Sequence, residues 1–398
     1  MMLKILILSY SFNETHEIGG KRWFNLSKSL SLNCNVDVIS SSLVDKPIWV
    51  EELFYVKSNY PAILNKTPST ILEKIHYKVS LYKQFFCFAG SPYDKGKNNC
   101  KKVKDLIIKN YKKKKYDIII SSGAPFSWLV IVPKLKRNNF IQNKTIVLSD
   151  FRDPWTWGQG YGMTTISERR ISFEKYQEKF TVNFSDIILV PSKSMFSHLI
   201  NKYSKSNIFH LPHGFDKISI DKILKSLSKS KNDKLNIIYG GNWYDGNSTV
   251  LNQLTHLLSK IQDEIEINIF TSLNSYKNYK YKNVNINFSN YTSEKILFKK
   301  IYNADFYLLI LPKRFSDFLS AKFFEICSLK VPIIYIGKKG LVSNFILSNK
   351  IGFHLDLNEF NIEFFNVKYS DLSNNILNEH SFDNLSNLLM SEIIKVKT

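Results

Sequence analysis

The segment from Ser316 to Glu325 combines residue types that can bind a phosphorylated ligand. Ser320 is placed to cap a helix that we predict to begin near Ala321. The N–H groups at a helix start and the ammonium of Lys322 can together bind a diphosphate. Glu325, one turn further on, can accept hydrogen bonds from the two hydroxyls of a ribose. The same residues also fit an ordinary capped helix with surface charges, and taken alone they favour that interpretation.

A second candidate site follows the first strand-like run of the chain. Gly19 and Gly20 stand between the run Leu3–Leu8 and a helix-like stretch, Lys21–Leu32. Glycine lets a backbone approach a ligand closely, and a helix start attracts anions. Paired glycines also open many ordinary loops, and the Gly-x-Gly-x-x-Gly pattern of nicotinamide dinucleotide sites is missing. The pair therefore indicates a phosphate-tolerant site and no more.

The sequence Asp-Phe-Arg-Asp-Pro-Trp at residues 150–155 directly follows another predicted strand. Polar groups at the carboxyl end of a parallel strand lie where open α/β sheets bind ligands. The carboxylates of Asp150 and Asp153 flank Arg152 and can accept hydrogen bonds from sugar hydroxyls, while Trp155 can pack on a sugar ring. The alternative is an ion-paired turn with its tryptophan in the core.

His213 and Gly214 directly follow a further strand-like run, Ile208–Pro212. Its imidazole can hydrogen-bond a phosphate or a hydroxyl of a substrate. A single histidine at a strand end is more often a structural residue with its own partners. Both interpretations stay open for His213.

Composition and charge limit the classes of protein. The chain of 398 residues is longer than a single compact core accommodates, so we expect two domains. The net charge of +21 fits an anionic membrane surface or a phosphorylated substrate, or lysines spread over the surface. The sequence has no zinc-finger spacing of Cys and His and no RNA-binding motif, so motifs do not support nucleic-acid binding. Four scattered cysteines form neither a zinc nor a disulfide pattern, which favours the cytoplasm. No apolar run is long enough to span a membrane.

Short apolar runs alternate with helix-like stretches in both halves, which predicts two successive doubly wound α/β units. We predict strands in the first half at Leu3–Leu8, Val36–Ser40, Asp117–Ser121, Thr145–Asp150, Asp186–Pro191 and Ile208–Pro212. We predict strands in the second half at Leu235–Gly240, Ile265–Phe270, Val284–Phe288, Phe306–Leu311 and Pro332–Gly337.

We expect the first domain to span residues 1–216 and the second to span residues 217–375, with a helical tail at 376–398 that returns to the first domain. An aromatic-rich segment at about 43–115 exceeds an ordinary crossover, so we expect a helical insertion there. That insertion either contacts a membrane or acceptor, or is a packed helical pair with solvated lysines.

Taken together, these segments resemble the retaining glycosyltransferases of the GT-B fold, especially the glycosyltransferase 4 type of bacterial polysaccharide assembly. Residues 119–127 and 150–155 resemble the "SxPPxS" and "DFRDPW" segments of a subgroup, and residues 211–216 resemble its "PNGFD" with His213 replacing Asn. Asp317 and Glu325 have the E-x7-E spacing, and Ser320–Glu325 resembles "SxKxFE". The loop at Gly240 lacks the usual arginine, and Lys330 stands where Gly is usual.

The resemblance implies an α/β GT-B fold, with two Rossmann-like doubly wound domains facing each other across a cleft. It implies catalytic roles for Asp150, Asp153, Lys322 and Glu325. It implies a donor site formed by Gly19, Gly20, Gly240, Gly241, Asn242, Lys313, Arg314, Asp317, Ser320, Ala321, Lys322 and Glu325. It implies acceptor contacts by Arg152, Trp155 and His213. Lys322, Lys313 or Arg314 would supply the cation for the diphosphate, with no metal ion and no cofactor besides the nucleotide sugar.

The expected function is retaining transfer of a hexosyl group from a nucleotide-diphosphate sugar to a saccharide or lipid-linked saccharide, in capsule, O-antigen or lipooligosaccharide synthesis. We expect a cytoplasmic protein that can attach to the inner face of an anionic membrane. The alternatives are a nucleotide-sugar epimerase with the same double-Rossmann fold and a catalytically silent scaffold. A nucleic-acid-binding protein is the least favoured alternative, since charge is its only support.

Overall fold

The computed structural model describes residues 2–14, 18–158, 160–229, 233–272, 277–313, 316 and 319–397. The chain forms two compact units. The first comprises Met1–Pro212 together with Phe382–Thr398, and the second comprises His213–Ser381. The division therefore lies between Pro212 and His213, a few residues before the boundary expected after Asp216.

The first unit contains a sheet of seven parallel strands in the order β3-β2-β1-β4-β5-β6-β7. The strands are β1 (Leu3–Ser9), β2 (Cys34–Ser40), β3 (Glu52–Tyr55), β4 (Ile118–Gly123), β5 (Ile146–Phe151), β6 (Ile187–Val190) and β7 (Ile208–His210). The helices are α1 (Ile18–Leu30), α2 (Ile71–Cys87), α3 (Cys100–Lys114), α4 (Phe126–Arg137), α5 (Glu168–Phe184) and α6 (Lys193–Tyr203).

The central strand β1 shows why these apolar runs form a covered parallel sheet. Ile5 and Ile7 belong to one core cluster, whereas Leu6 and Leu8 belong to another. Side chains alternate between the two faces of a strand, so β1 is buried on both faces. All four side chains have no exposed surface. A strand of this kind has to be apolar throughout, as the sequence pattern predicted.

The second unit contains seven strands in the order β10-β11-β9-β8-β12-β13-β14, all parallel except the antiparallel β10. Its strands are β8 (Leu235–Gly240), β9 (Ile265–Phe270), β10 (Tyr279–Tyr281), β11 (Val284–Ser289), β12 (Phe306–Ile310), β13 (Ile333–Ile336) and β14 (Gly352–His354). Its helices are α7 (Lys217–Lys225), α8 (Asn247–Leu258), α9 (Glu294–Tyr302), α10 (Ala321–Ser328), α11 (Leu341–Ser348) and α12 (Asn374–Glu379).

Each sheet has a point at which the chain reverses its direction of winding. In the first unit the chain goes from β1 outward to β2 and β3, and then resumes on the other side of β1 at β4. In the second unit it goes from β8 to β9 and β11, and resumes beside β8 at β12. Open α/β sheets bind ligands at the carboxyl ends of the strands that flank such a point. Each unit therefore has one crevice of this kind.

The segment at 43–115 is only partly an insertion. It contributes β3 to the sheet edge, and α3 is an ordinary crossover helix that leads into β4. The extra element is α2 with its flanking loops. The short strands β10 and β14 were likewise not predicted, because runs of three residues carry too little apolar pattern.

The last helix, α13 (Phe382–Lys397), belongs to the first unit. Phe382, Leu385, Leu389 and Ile393 are buried in the same core cluster as Ile5 and Ile7. The Ser29 hydroxyl also donates a hydrogen bond to Asp383, at 2.6 Å. This is the location that the sequence predicted for the tail, although α13 begins later than residue 376. None of the described helices is long and apolar enough to cross a bilayer.

Candidate functional site

The site in the second unit is built where β8 and β12 end. β8 ends at Gly240, and α10 begins shortly after the loop that follows β12. The Ser320 hydroxyl accepts a hydrogen bond from the Phe323 N–H at 3.3 Å and so caps α10, as predicted. The start of α10, with its positive dipole end, therefore lies among the residues that follow β12, close to the reversal of winding.

Lys322 connects the helix start to the glycine loop. Its ammonium donates a hydrogen bond to the Gly240 carbonyl, and the Tyr307 hydroxyl donates to the same oxygen at 2.9 Å. A Cβ atom on Gly241 would lie 3.1 Å from Lys322 Nζ, which leaves room there for glycine but little more. The structure thus brings together two segments that are about eighty residues apart in sequence and that were both predicted to bind the donor.

Three tyrosines that the sequence analysis missed hold this loop in place. The Tyr239 hydroxyl donates to the Asn242 carbonyl at 2.5 Å, and the Tyr291 hydroxyl donates to Asn242 Oδ1 at 2.6 Å. Burial raises the pKa of Tyr239 and of Tyr307 above the ordinary value, so both stay protonated hydrogen-bond donors. Their signal in the sequence is slight, because a tyrosine in an apolar strand looks like any other core residue.

Glu325 lies three residues after Lys322 on α10 and is partly buried. Burial is the main cause of the raised pKa of Tyr307, and the charge of Glu325 raises it further. The two side chains are therefore near each other. Lys313 follows β12 and is exposed, and Ala321 opens α10. Two other predicted donor residues, Arg314 and Asp317, lie outside the described residues.

In the first unit Arg152 joins three segments at the reversal between β1 and β4. Its guanidinium donates to the Gly19 carbonyl at 2.9 Å, to the Ala124 carbonyl at 3.2 Å and to Asp153 at 3.2 Å. Burial acts to lower the pKa of Arg152, but the neighbouring Asp153 and Tyr161 raise it above its ordinary value. Arg152 therefore carries a fixed positive charge beside the start of α1.

The glycine pair is explained by what surrounds it. A Cβ atom on Gly19 would collide with the Arg152 guanidinium, and one on Gly20 would meet the Asn13 backbone at 3.0 Å. A larger residue at Gly19 would therefore have to displace the end of the Arg152 side chain, and one at Gly20 would have to shift Asn13. The Arg152 guanidinium thus lies beside the first turn of α1.

Asp150 is fully buried and already has partners. Its carboxylate forms an ion pair with Arg22 at 3.2 Å and accepts hydrogen bonds from Trp23 Nε1 at 2.7 Å and from the Ser122 hydroxyl at 3.2 Å. Arg22 in turn donates to the Leu211 carbonyl at 2.9 Å. Asp150 has no surface to offer an acceptor hydroxyl in this structure. Its geometry is that of a positioning residue, in place of the expected direct contact with a substrate.

Trp155 is a core residue here. It is 1 % exposed, stacks on Phe126 with ring centroids 4.8 Å apart, and donates its indole N–H to Glu174 at 2.9 Å. Neither face is open to a sugar ring, so the structure favours the alternative of a tryptophan in the core. A pocket of about 430 Å³ lies beside it, with Lys97 and Lys134 among its lining residues. Asp150, Arg152 and Asp153 do not line that pocket.

Asp153 remains accessible, whereas His213 is largely covered. The Asp153 side chain is 37 % exposed, and its carboxylate also accepts a hydrogen bond from the Tyr161 hydroxyl at 3.1 Å. His213, the first residue of the second unit, is 8 % exposed. Within the described part of the chain, no three His, Cys, Asp or Glu side chains lie together as a metal site would need.

No protein-family model matches the sequence, and no curated protein matches it significantly. Solved structures do match. A UDP-forming α,α-trehalose-phosphate synthase of Burkholderia xenovorans aligns over 100% of both chains, with a TM-score of 0.64 and 10% identity. The apo form of the lipopolysaccharide outer core galactosyltransferase WaaB aligns over 99% of both chains, with a TM-score of 0.53 and 10% identity.

An enzyme of another class is similar too. A putative UDP-N-acetylglucosamine 2-epimerase of Listeria monocytogenes aligns over 99% of this chain and 96% of its own, with a TM-score of 0.55 and 9% identity. At such identities the likeness shows the fold alone. Together with the two doubly wound sheets, it shows that this chain has the α/β two-domain fold of the GT-B glycosyltransferases.

Proposed function

We propose that this protein is a retaining glycosyltransferase that moves a sugar from a nucleotide-diphosphate sugar to an acceptor hydroxyl. The observation that carries the proposal is the assembly of Lys322, the start of α10 and the Gly240–Gly241 loop beside the reversal of winding between β8 and β12. A cation, a helix start and a closely approachable backbone are together suited to a diphosphate.

The chemical step requires stabilisation of a leaving group. The bond between the anomeric carbon and the phosphate oxygen breaks, its electron pair stays on the diphosphate, and the acceptor oxygen bonds to the anomeric carbon on the same face. The acceptor proton goes to the departing phosphate oxygen. The Lys322 ammonium and the α10 dipole stabilise the charge that develops on the diphosphate, in the place of a metal ion.

The remaining residues divide between donor and acceptor. In the second unit, Glu325 accepts hydrogen bonds from the ribose hydroxyls, while Ser320 keeps the start of α10 in shape. In the first unit, Arg152 and the accessible Asp153 are the residues assigned to the acceptor. Asp150 acts through Arg22 and holds the loop after β7.

The biological setting belongs to the same proposal. A hexosyl transfer in capsule, O-antigen or lipooligosaccharide synthesis would use a lipid-linked saccharide at the inner face of the cytoplasmic membrane. The net charge of +21 supports attachment to such an anionic surface. The similarity in fold to a lipopolysaccharide galactosyltransferase agrees with this setting.

A thermal-shift panel of nucleoside diphosphates and nucleotide sugars tests the donor site. We expect one nucleotide family to raise the melting temperature of the wild-type protein and to have no effect on Glu325→Ala. The control is Glu363→Ala, an exposed glutamate elsewhere in the second unit, which should keep the shift. Absence of a shift with every nucleotide would favour the silent scaffold.

The epimerase remains the second candidate, because an epimerase is among the similar structures. The two reactions differ in their products. A transferase releases a nucleoside diphosphate and depends on an acceptor, whereas an epimerase changes a nucleotide sugar and needs no acceptor. Incubation of a bound nucleotide sugar with and without saccharide acceptors therefore separates them.

A further inference from the structure

Helix α2 exposes an apolar face that the described residues of the first unit leave uncovered. Its six large apolar residues are between 46% and 88% exposed: Ile71, Leu72, Ile75, Val79, Tyr82 and Phe86. Successive residues of a helix are rotated by about 100°, so these six lie within about 100° of the helix circumference. They therefore form one continuous stripe along the whole helix.

The side of α2 that packs on the protein is mixed in character, with Tyr77, Leu81 and Phe85 partly buried there. Ser80 and Gln84 are the buried residues of the helix, at 6% and 5% exposure. A helix at the surface of a soluble domain normally buries its apolar face and exposes its polar face. In α2 the longest continuous apolar stripe is instead on the exposed side, and the two most buried residues are polar. A continuous exposed apolar stripe of this kind marks a surface that contacts an apolar environment on its outer side.

The helix is fixed firmly enough to present this face in one orientation. Its start carries a capping box between Thr70 and Glu73. Its end is held by Arg170 of α5, whose guanidinium donates to the Phe88 carbonyl at 2.9 Å and packs over the Phe85 ring at 4.5 Å. The exposed stripe is therefore a property of the folded unit.

Lysines border the apolar stripe on both sides. By the rotation of about 100° per residue, Lys74 and Lys78 lie along one edge and Lys83 along the other. All three are exposed. The single acidic residue of the helix is Glu73, and its carboxylate accepts hydrogen bonds from Lys66 and from the N–H groups of Ser69 and Thr70. The face is thus apolar in the middle and positive at its edges.

We infer that α2 is the element by which this protein lies on an anionic lipid bilayer. An apolar stripe that enters the boundary between headgroups and acyl chains, with lysines at its edges that reach the phosphates, is the pattern of an interfacial helix. Lysines favour anionic lipids over another copy of this basic chain, which carries a net charge of +21 and would repel it. The inference rests on the proposed function for its biological meaning, but its test uses neither donor nor acceptor.

Vesicle flotation of the full-length protein tests the inference. We expect the wild-type protein to float with vesicles of phosphatidylcholine and phosphatidylglycerol and to remain behind with phosphatidylcholine alone. The double variant Ile75→Ser/Phe86→Ser should bind anionic vesicles more weakly than the wild-type protein, by a factor of about ten or more. The triple variant Lys74→Gln/Lys78→Gln/Lys83→Gln should lose most of the preference for anionic lipid.

Matched controls separate α2 from general stickiness and charge. Ile296→Ser/Leu347→Ser removes two apolar residues of the second unit that are 50% and 51% exposed. Lys109→Gln/Lys112→Gln/Lys113→Gln removes the same charge from exposed positions of α3. Both controls should float like the wild-type protein.

Three outcomes would overturn the inference. In the first, the α2 variants float as well as the wild-type protein. In the second, neither the wild-type protein nor any variant floats at physiological salt. Light scattering could instead show a dimer that Ile75→Ser/Phe86→Ser dissociates, with no flotation, which would assign the face to a second copy. A nucleotide-induced thermal shift in the same preparation reports the donor site independently, so the two proposals can fail separately.

Discussion

At the scale of single residues, Lys322 has two tasks. Its ammonium fixes the Gly240 carbonyl, and in the proposed reaction the same charge stabilises the departing diphosphate. The Tyr307 hydroxyl donates to the same carbonyl, so that oxygen keeps a partner if Lys322 is replaced. Folding and catalysis can therefore be separated at this position.

We expect Lys322→Met to keep the fold and to lower kcat by about 10²–10³-fold, which is the effect of removing one group that stabilises transition-state charge. Steady-state release of nucleoside diphosphate and the melting temperature are the measurements. Lys299→Met, an exposed lysine of α9, is the control and should retain full activity. A Lys322→Met enzyme as active as the control would exclude the assigned role.

Gly19 allows a second prediction, since Arg152 occupies the space of its missing side chain. We expect Gly19→Ala to displace the guanidinium and to lower the free energy of unfolding by about 1–3 kcal/mol through overpacking. Urea unfolding of both proteins measures the change. In Gly160→Ala the new Cβ atom meets nothing within 4 Å, so that variant should stay within about 0.5 kcal/mol of wild type. Equal stability of the two variants would mean that Arg152 moves aside without cost.

At the scale of elements, the end of α10 shows how the chain tolerates an unusual residue. Lys330 follows the helix with a φ of 57°, in the left-handed region. The expectation of a glycine at this position came from the family pattern, and the backbone angle gives its physical reason. The Lys330 ammonium lies 3.6 Å from Asp371, but both side chains are at least half exposed, so this ion pair contributes little.

We therefore expect Lys330→Gly to stabilise the second unit by about 0.5–1 kcal/mol, since the relief of left-handed strain exceeds the entropy cost of glycine. Calorimetry should show a rise of about 1–4 °C in one thermal transition. Lys350, with a φ of 55°, provides a companion test in the same unit. A lower melting temperature for Lys330→Gly would show that the lysine side chain contributes more than its ion pair indicates.

The elements also show what a sequence can predict. The long central strands were predictable, because strands buried on both faces are continuous apolar runs, as in β1 and β8. The helix start at Ser320 and the tail that joins the first unit were predictable as well. The short edge strands β10 and β14 were not, and neither was the burial of Asp150 and Trp155. Burial depends on partners such as Arg22 and Phe126, which are distant in the sequence.

At the scale of the whole molecule, two doubly wound units each place a cation at the reversal of their winding. Arg152 does so in the first unit and Lys322 in the second. The fold is common to transferases and epimerases, so the fold by itself does not choose between these reactions. The choice depends on what happens to the bond between sugar and phosphate.

The most direct measurement is proton NMR of the wild-type protein with each nucleotide sugar that shifts its melting temperature. We expect slow release of nucleoside diphosphate together with a free sugar whose first-formed anomer has the configuration of the donor. Glu325→Gln should abolish this release, and Glu363→Gln should leave it unchanged. Conversion of a nucleotide sugar to its epimer, a sugar of inverted configuration, or release unaffected by Glu325→Gln would exclude a retaining transferase whose donor site contains Glu325.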